Sequence, residues 1–155
     1  MNLKQVKAEK HRIYAPVKRS QGVEWKELEC GIAKVMQDYC GDTKTEELMK
    51  IGLQYLAEIK TGEADTLYAR NPHELMRALE ALDILTCAEM VIHACRARKA
   101  GNRWLFFERL DYPEDDPPAW RKWITVKQIG DRVVTGDLAL DFYGSLPDNY
   151  AAHNK

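Results

Sequence analysis

Between Arg103 and Trp123 the chain reads RWLFFERLDYPEDDPPAWRKW, a stretch where acids, arginines and aromatic rings crowd together as they do at sites of chemistry. Glu114, Asp115 and Asp116 could hold a metal ion or serve as general acid and base, because clustered carboxylates supply hard oxygen ligands and titratable protons. Their spacing argues against both roles. Three consecutive acids do not share a direction, and no loop of alternating oxygen ligands with a central glycine follows them. Arg103, Arg109, Arg121 and Lys122 lie close enough in sequence to neutralise them, so ion pairing is the expected role.

The remaining reactive side chains are scattered. Cys30, Cys40, Cys87 and Cys95 show no CxxC spacing. Cys87 and Cys95 fall on a single predicted helix, about 12 Å apart at 1.5 Å per residue, which forbids a disulfide between them. His11, His73, His93 and His153 form neither an HExxH nor a Cys/His ligand pattern, and His93 has no second ligand at i±4. No metal site is expected. With neither a signal peptide nor a long apolar run, the thiols read as reduced ones in a cytoplasmic protein.

Helices must position the acid- and aromatic-rich segment. Trp25, Leu28, Ile32, Val35 and Met36 recur at helical spacing across Val23 to Tyr39, and Cys40-Gly41 closes that run. Asp42, Thr43 and Thr45 offer N-caps for a second helix striped by Leu48, Ile51 or Gly52, Tyr55, Leu56 and Ile59, ending near Thr61-Gly62. Asn71-Pro72-His73-Glu74 starts a third, with Asn71 as cap, Pro72 at the first helical position and Glu74 placed to reach back to the Asn71 amide. Leu75, Leu79, Leu82, Leu85, Ala88, Ile92 and Cys95 carry its stripe towards Ala100, a spine of about 45 Å. Arg96, Arg98 and Lys99 sit at its end, where the macrodipole favours cations.

Asp111-Tyr112-Pro113 and Pro117-Pro118 then bar helix from Asp111 to Pro118 and predict an ordered, turn-rich loop. Trp104, Phe106, Phe107, Tyr112, Trp120 and Trp123 give it a large aromatic payload, expected to pin it to the helical core. Trp123 to Lys127 alternates as a strand, Gly130-Asp131 marks a turn, and Arg132 to Leu140 returns. The segment Asp141 to Lys155, with Tyr143-Gly144, Pro147 and Tyr150, reads as a tail laid over the surface. The N-terminal Met1 to Gly22 is basic around Ile13-Tyr14-Ala15-Pro16-Val17 and reads as a strap whose apolar centre packs while its lysines stay wet.

The prediction is a mainly α fold: a three-helix bundle with a long third helix, followed by an ordered Pro/aromatic loop and a small β-hairpin. It divides into a strap over 1–22, a helical bundle domain with its loop over 23–123, and the hairpin and tail over 124–155. The 155 residues suffice for one domain with a real core. With 23 basic against 24 acidic side chains there is no global field to draw the chain to nucleic acid or an anionic membrane.

The order of these helices, the Asn71-Pro72-His73-Glu74-Leu75 start of the long one, then Arg103 and Asp111-Tyr112-Pro113 with Trp120, resembles the C-terminal helical domain of flavoprotein subunits. The family is that of fumarate reductase, succinate dehydrogenase and adenylylsulfate reductase α. The resemblance covers roughly Lys7 to Thr125. Arg103 and Arg109 match the family's two arginines, while Trp104-Leu105-Phe106-Phe107 stand where many members have Gly-x-His. That departure tilts the match towards the adenylylsulfate reductase branch and leaves no counterpart for the family's histidine.

The resemblance implies flavin-mediated electron transfer, with FAD held by an N-terminal dinucleotide-binding domain. No G-x-G-x-x-G occurs in this chain, so no cofactor is expected in it and the isolated chain is expected to be inactive. It is expected to be a C-terminal portion whose partners are the flavin-binding portion of the parent subunit and an iron–sulfur subunit. Membrane association would then come through partner subunits, without direct insertion. A candidate docking surface comprises Arg103, Trp104, Arg109, Asp111, Tyr112, Asp115, Asp116 and Trp120. Two rival readings remain: an independent helical interaction module, and a nucleic-acid binder using the N-terminal basic arm and Arg96 to Arg103.

Overall fold

The first described helix, α1 (Leu3–Lys18), occupies the segment expected to be a strap. Asn2 caps it by accepting from the Lys4 and Gln5 amides at 3.1 and 3.4 Å, and its basic side chains stay in water. Pro16 is buried in the last turn, where it removes one hydrogen bond near the helix end; of the expected apolar centre Ile13 and Ala15 are half-buried, while Tyr14 and Val17 are exposed, and the backbone is helical. This computed structural model describes residues 2–130, 132–140 and 144–153. The expectations that fell on Met1, Asp131, Asp141, Tyr143 and the last two residues lie outside them.

The bundle is α2 (Trp25–Tyr39), α3 (Glu46–Thr61) and α4 (Pro72–Ala97), all three at the positions their stripes predict. At 26 residues α4 is about 39 Å long, shorter than expected because it ends at Ala97. Asn71 caps it, accepting from the Glu74 amide at 3.0 Å. Glu74 reaches back one residue further than expected, to the Arg70 amide at 2.8 Å, because the Arg70 side chain also holds its carboxylate. Thr45 caps α3, accepting from the Leu48 amide at 3.2 Å.

Leu28, Ile32 and Val35 of α2, Met49 and Leu56 of α3, and Ala78, Ala81, Leu85, Ala88 and Ile92 of α4 make the core. Small residues on α4 let its neighbours approach closely. Gly52 does the same on α3: a Cβ there would lie 2.8 Å from Tyr39 Cβ and 3.3 Å from Ile92 Cδ1.

Two short sheets complete the fold. In β1 (Thr43–Lys44) and β2 (Glu108–Arg109) the strands run parallel, pairing Thr43 with Glu108 and Lys44 with Arg109. They clip the link between α2 and α3 to the segment after α4. The hairpin of β3 (Lys122–Ile129) and β4 (Arg132–Ala139) is antiparallel around Gly130, as the alternation predicts, and rests against α4. The tail contains a short helix, α5 (Leu146–His153), with Ser145 Oγ accepting from the Asp148 amide at 3.3 Å. Among the described residues no helix is long and apolar enough to cross a membrane.

Candidate functional site

The acid- and aromatic-rich segment is a loop with a hydrogen-bonded base and an exposed apolar tip. Its base starts where α4 ends. The Asn102 amide donates to the Phe107 carbonyl at 2.7 Å and the Phe107 amide returns to Asn102 at 3.1 Å, closing a tight turn over the intervening residues. Asn102 Oδ1 accepts from the Leu105 amide at 3.2 Å, and Phe106 takes a left-handed backbone with φ 50°. This geometry leaves Trp104, Leu105 and Phe106 pointing away from the bundle, 88%, 73% and 76% exposed. A bulky residue in the left-handed region is strained, so the tip conformation is imposed by its base.

Two acids of the segment, Asp115 and Asp116, brace that base with their carboxylates. The Asp115 carboxylate accepts from the Arg103 amide at 2.8 Å, and its other oxygen lies 3.8 Å from the Arg103 guanidinium. Asp116 accepts from Arg98 at 3.2 Å and from Asn102 at 3.4 Å, with Arg121 at 3.7 Å. The Gly101 amide donates to the Glu114 carbonyl at 2.8 Å, and the Asp116 amide to the Gly101 carbonyl at 3.0 Å. Ion pairing is thus what Asp115 and Asp116 do, with Arg98 added to the expected partners, whereas Glu114 contributes its backbone carbonyl. Lys122 pairs instead across the hairpin with Asp137.

Arg109 lies beneath this surface, 1% exposed, which removes it from any outward-facing set. Its Nε and Nη2 donate to the two oxygens of Asp111 at 2.8 Å each, and its Nη1 donates to the carbonyls of Cys95 and Arg98 at 2.8 and 2.6 Å. Asp111 in turn accepts from the Glu46 amide at 2.8 Å, the first residue of α3. The Arg109 hydrogen bonds, joined by that amide, hold the Asp111 carboxyl down at about 2, against the opposing effect of burial. Tyr112 stacks under Arg109 at 4.9 Å, and Lys122 sits 4.6 Å above the Trp120 ring. Phe107, Tyr112 and Trp120 are half-buried against cationic side chains, Phe107 by Lys44 and Arg98 and Tyr112 by Arg109, instead of packing into the helical core as expected, whereas Trp104, Phe106 and Trp123 are exposed.

The sequence-derived docking set thus splits. Arg103 and Trp104 face outward, Asp115 and Asp116 brace the turn that carries them, and Arg109, Asp111, Tyr112 and Trp120 organise the layer below. Two residues that sequence reasoning left out of the set belong with the outward group, Leu105 and Phe106; their adjacency to Trp104 was visible, but the turn that exposes them was not. Below the tip, a depression of about 350 Å³ is lined by Asp42, Gly101, Phe107, Glu108, Leu110 and Pro113 among others.

The elements present do not fit FAD. Dinucleotide binding needs a strand leading through a Gly-rich turn into a helix whose N-terminus faces the pyrophosphate. Among the described residues the sheets are two-stranded, and β1 leads into α3 through Thr45 alone, with no Gly-rich turn between them. No step of flavin chemistry can be assigned to these residues.

The fold has clear relatives among solved structures. Adenylylsulfate reductase from the hyperthermophilic Archaeoglobus fulgidus superposes with a TM-score of 0.82 at 22% identity, over 92% of this chain and 25% of that one. Quinol fumarate reductase from E. coli gives 0.75 at 21% identity, over 93% and 26%. The Mycobacterium smegmatis Sdh1 complex with UQ1 gives 0.77 at 18% identity, over 97% and 26%. The chain thus spans about a quarter of the length of these relatives. No curated protein matches it by sequence. The sequence profile described as fumarate reductase flavoprotein C-term matches residues 30–140, which takes in the bundle, the loop and the hairpin. By that match, and in agreement with the motifs around Asp111-Tyr112-Pro113, the chain belongs to the fumarate reductase flavoprotein C-terminal family.

Proposed function

We propose that this chain serves as the helical packing and docking portion of a flavoprotein oxidoreductase subunit, with the flavin-dependent electron transfer carried out in domains it does not contain. The observation that carries the proposal is the tip of Trp104, Leu105 and Phe106, three large apolar side chains exposed together on a braced turn. A solvent-facing loop gains nothing from this arrangement, whereas an interface gains a rigid aromatic anchor with little entropy left to lose. Arg103 beside the tip supplies a charge for a polar rim.

The occupant of this surface is the flavin-binding portion of the subunit, which would hold FAD; an iron–sulfur subunit would contact the assembled pair. The chain itself then contributes no catalytic group and no cofactor ligand. It would work in the cytoplasm and reach a membrane only through partner subunits.

Mixing the chain with a separately produced flavin-binding portion of its own subunit tests the proposal. Co-elution as a one-to-one complex, with Trp104 fluorescence shifted to the blue, is the expected result. Absence of both complex and mutual stabilisation at micromolar concentrations would overturn it in favour of an independent interaction module.

A further inference from the structure

A second depression, of about 360 Å³, lies where the end of α4, the start of α3 and the hairpin meet. His93 and Arg96 line it from α4, Lys99 from just beyond that helix, Tyr112 from the loop, Thr135 from β4 and Glu46 from α3.

Hydrogen-bond donors dominate this lining. Lys99 and His93 have no ion-pair partner among the described residues, and the Lys99 ammonium stands 5.8 Å from the centre of the Tyr112 ring. Nη1 of Arg96 and the hydroxyls of Tyr112 and Thr135 have no hydrogen-bond partner among the described residues either. The single acid of the lining is already engaged. One oxygen of Glu46 accepts from Arg96 Nε and Nη2 at 3.0 and 2.6 Å, and the other lies 4.0 Å from the Arg109 guanidinium.

The macrodipole alone accounts for cations near the end of α4. It does not account for hydroxyls that the loop and the hairpin bring to the same depression. The negative end of the helix is also partly neutralised there, because Arg109 takes the carbonyls of Cys95 and Arg98.

We propose that this depression binds a small divalent oxyanion of the phosphate or sulfate type, held by Lys99, Nη1 of Arg96 and the hydroxyls of Tyr112 and Thr135, with His93 beside it. Each of these groups donates, and the oxygens of such an anion accept, with two of the bonds assisted by a fixed positive charge. The site is separate from the exposed tip and does not depend on what docks there.

His93 reports its occupancy. Burial and the Arg96 charge hold its imidazole below the ordinary histidine value, opposed by Glu89 one turn back on α4. The other ionisable groups facing it across the depression are Lys99, Tyr112 and the engaged Glu46, and β4 brings none. A bound dianion adds the opposite charge, which favours the protonated ring and should raise its midpoint by about one pH unit.

Titrating the chain with potassium phosphate and with potassium sulfate, at an ionic strength held constant with potassium chloride, tests the proposal through the NMR signals of the histidine rings. His93 should respond saturably in the millimolar range to either anion, while the exposed His11, His73 and His153 should not respond. Lys99→Gln and Thr135→Val should each weaken binding by about fivefold or more. Lys127→Gln should leave it unchanged, because Lys127 pairs with Val134 and so lies on the opposite face of the hairpin from Thr135. A linear response, an equal response of all the histidines, or full affinity in both Lys99→Gln and Thr135→Val would each overturn the proposal.

Discussion

Arg109 and Asp111 form a two-pronged ion pair that joins two helix ends: Asp111 accepts the Glu46 amide at the start of α3, and Arg109 donates to the Cys95 and Arg98 carbonyls at the end of α4. Each partner meets the helix terminus of opposite partial charge. The pair therefore satisfies orphaned backbone groups of both helices as well as itself.

Removing Arg109 leaves Asp111 without its main partner and the two carbonyls without donors. Arg109→Ala should cost about 3–5 kcal/mol, and Arg109→Lys most of that, because an ammonium cannot span the carboxylate and both carbonyls at once. Urea unfolding followed by circular dichroism reads the loss. A cost below about 1 kcal/mol would show that the pair does not hold the loop to the bundle.

Acid should weaken the fold through Asp111. Its folded-state value, near 2, lies below the ordinary 3.8, so its stabilisation is fully present above about pH 4 and is lost as pH falls towards 2. The residue is partly in water, and screening reduces the contribution to about 1–2 kcal/mol. Asp111→Asn should flatten that part of the stability profile, measured by urea midpoints between pH 2 and pH 5. An unchanged slope would remove Asp111 from the acid response.

Gly52 allows α3 to lie against Tyr39 and Ile92. Gly52→Ala would gain about 1 kcal/mol of helix propensity, yet its Cβ meets a backbone-attached atom that cannot move alone. The net effect should be a loss of about 1–2 kcal/mol, seen as a lowered thermal midpoint. A raised midpoint would mean that α2 and α3 can separate freely.

The tip should be separable from folding. Trp104→Ser removes an exposed ring and Phe106→Gly relieves a left-handed backbone, so each variant should stay within about 1 kcal/mol of the parent. Affinity for the flavin-binding portion should fall by about tenfold or more in either one. Calorimetric titration distinguishes the two effects, and undiminished binding by the double variant would place the interface elsewhere.

Much of the fold was legible because α2, α3 and α4 carry both a stripe and a cap, and the two signals agree. Two helices were missed for local reasons. Pro16 in the final turn of α1 concealed an amphipathic run that Asn2 caps, and Ser145-x-x-Asp148 was the cap signal for α5. The loop was legible as an ordered segment whose acids pair with arginines. Its inside and outside were not, because the turn that exposes Trp104 depends on Asp115 and Asp116, and the stretch that buries Arg109 depends on partners at Asp42, Lys44 and Glu46.

The β1–β2 clip ties Thr43 to Glu108, with α3 and α4 both lying between them in the chain. Closing so long a loop is entropically costly until those helices are in place, so the clip belongs to the last steps of folding. The tip's own turn is made by contacts between the end of α4 and the acids Asp115 and Asp116, so it does not wait for the clip and can order as soon as α4 has formed.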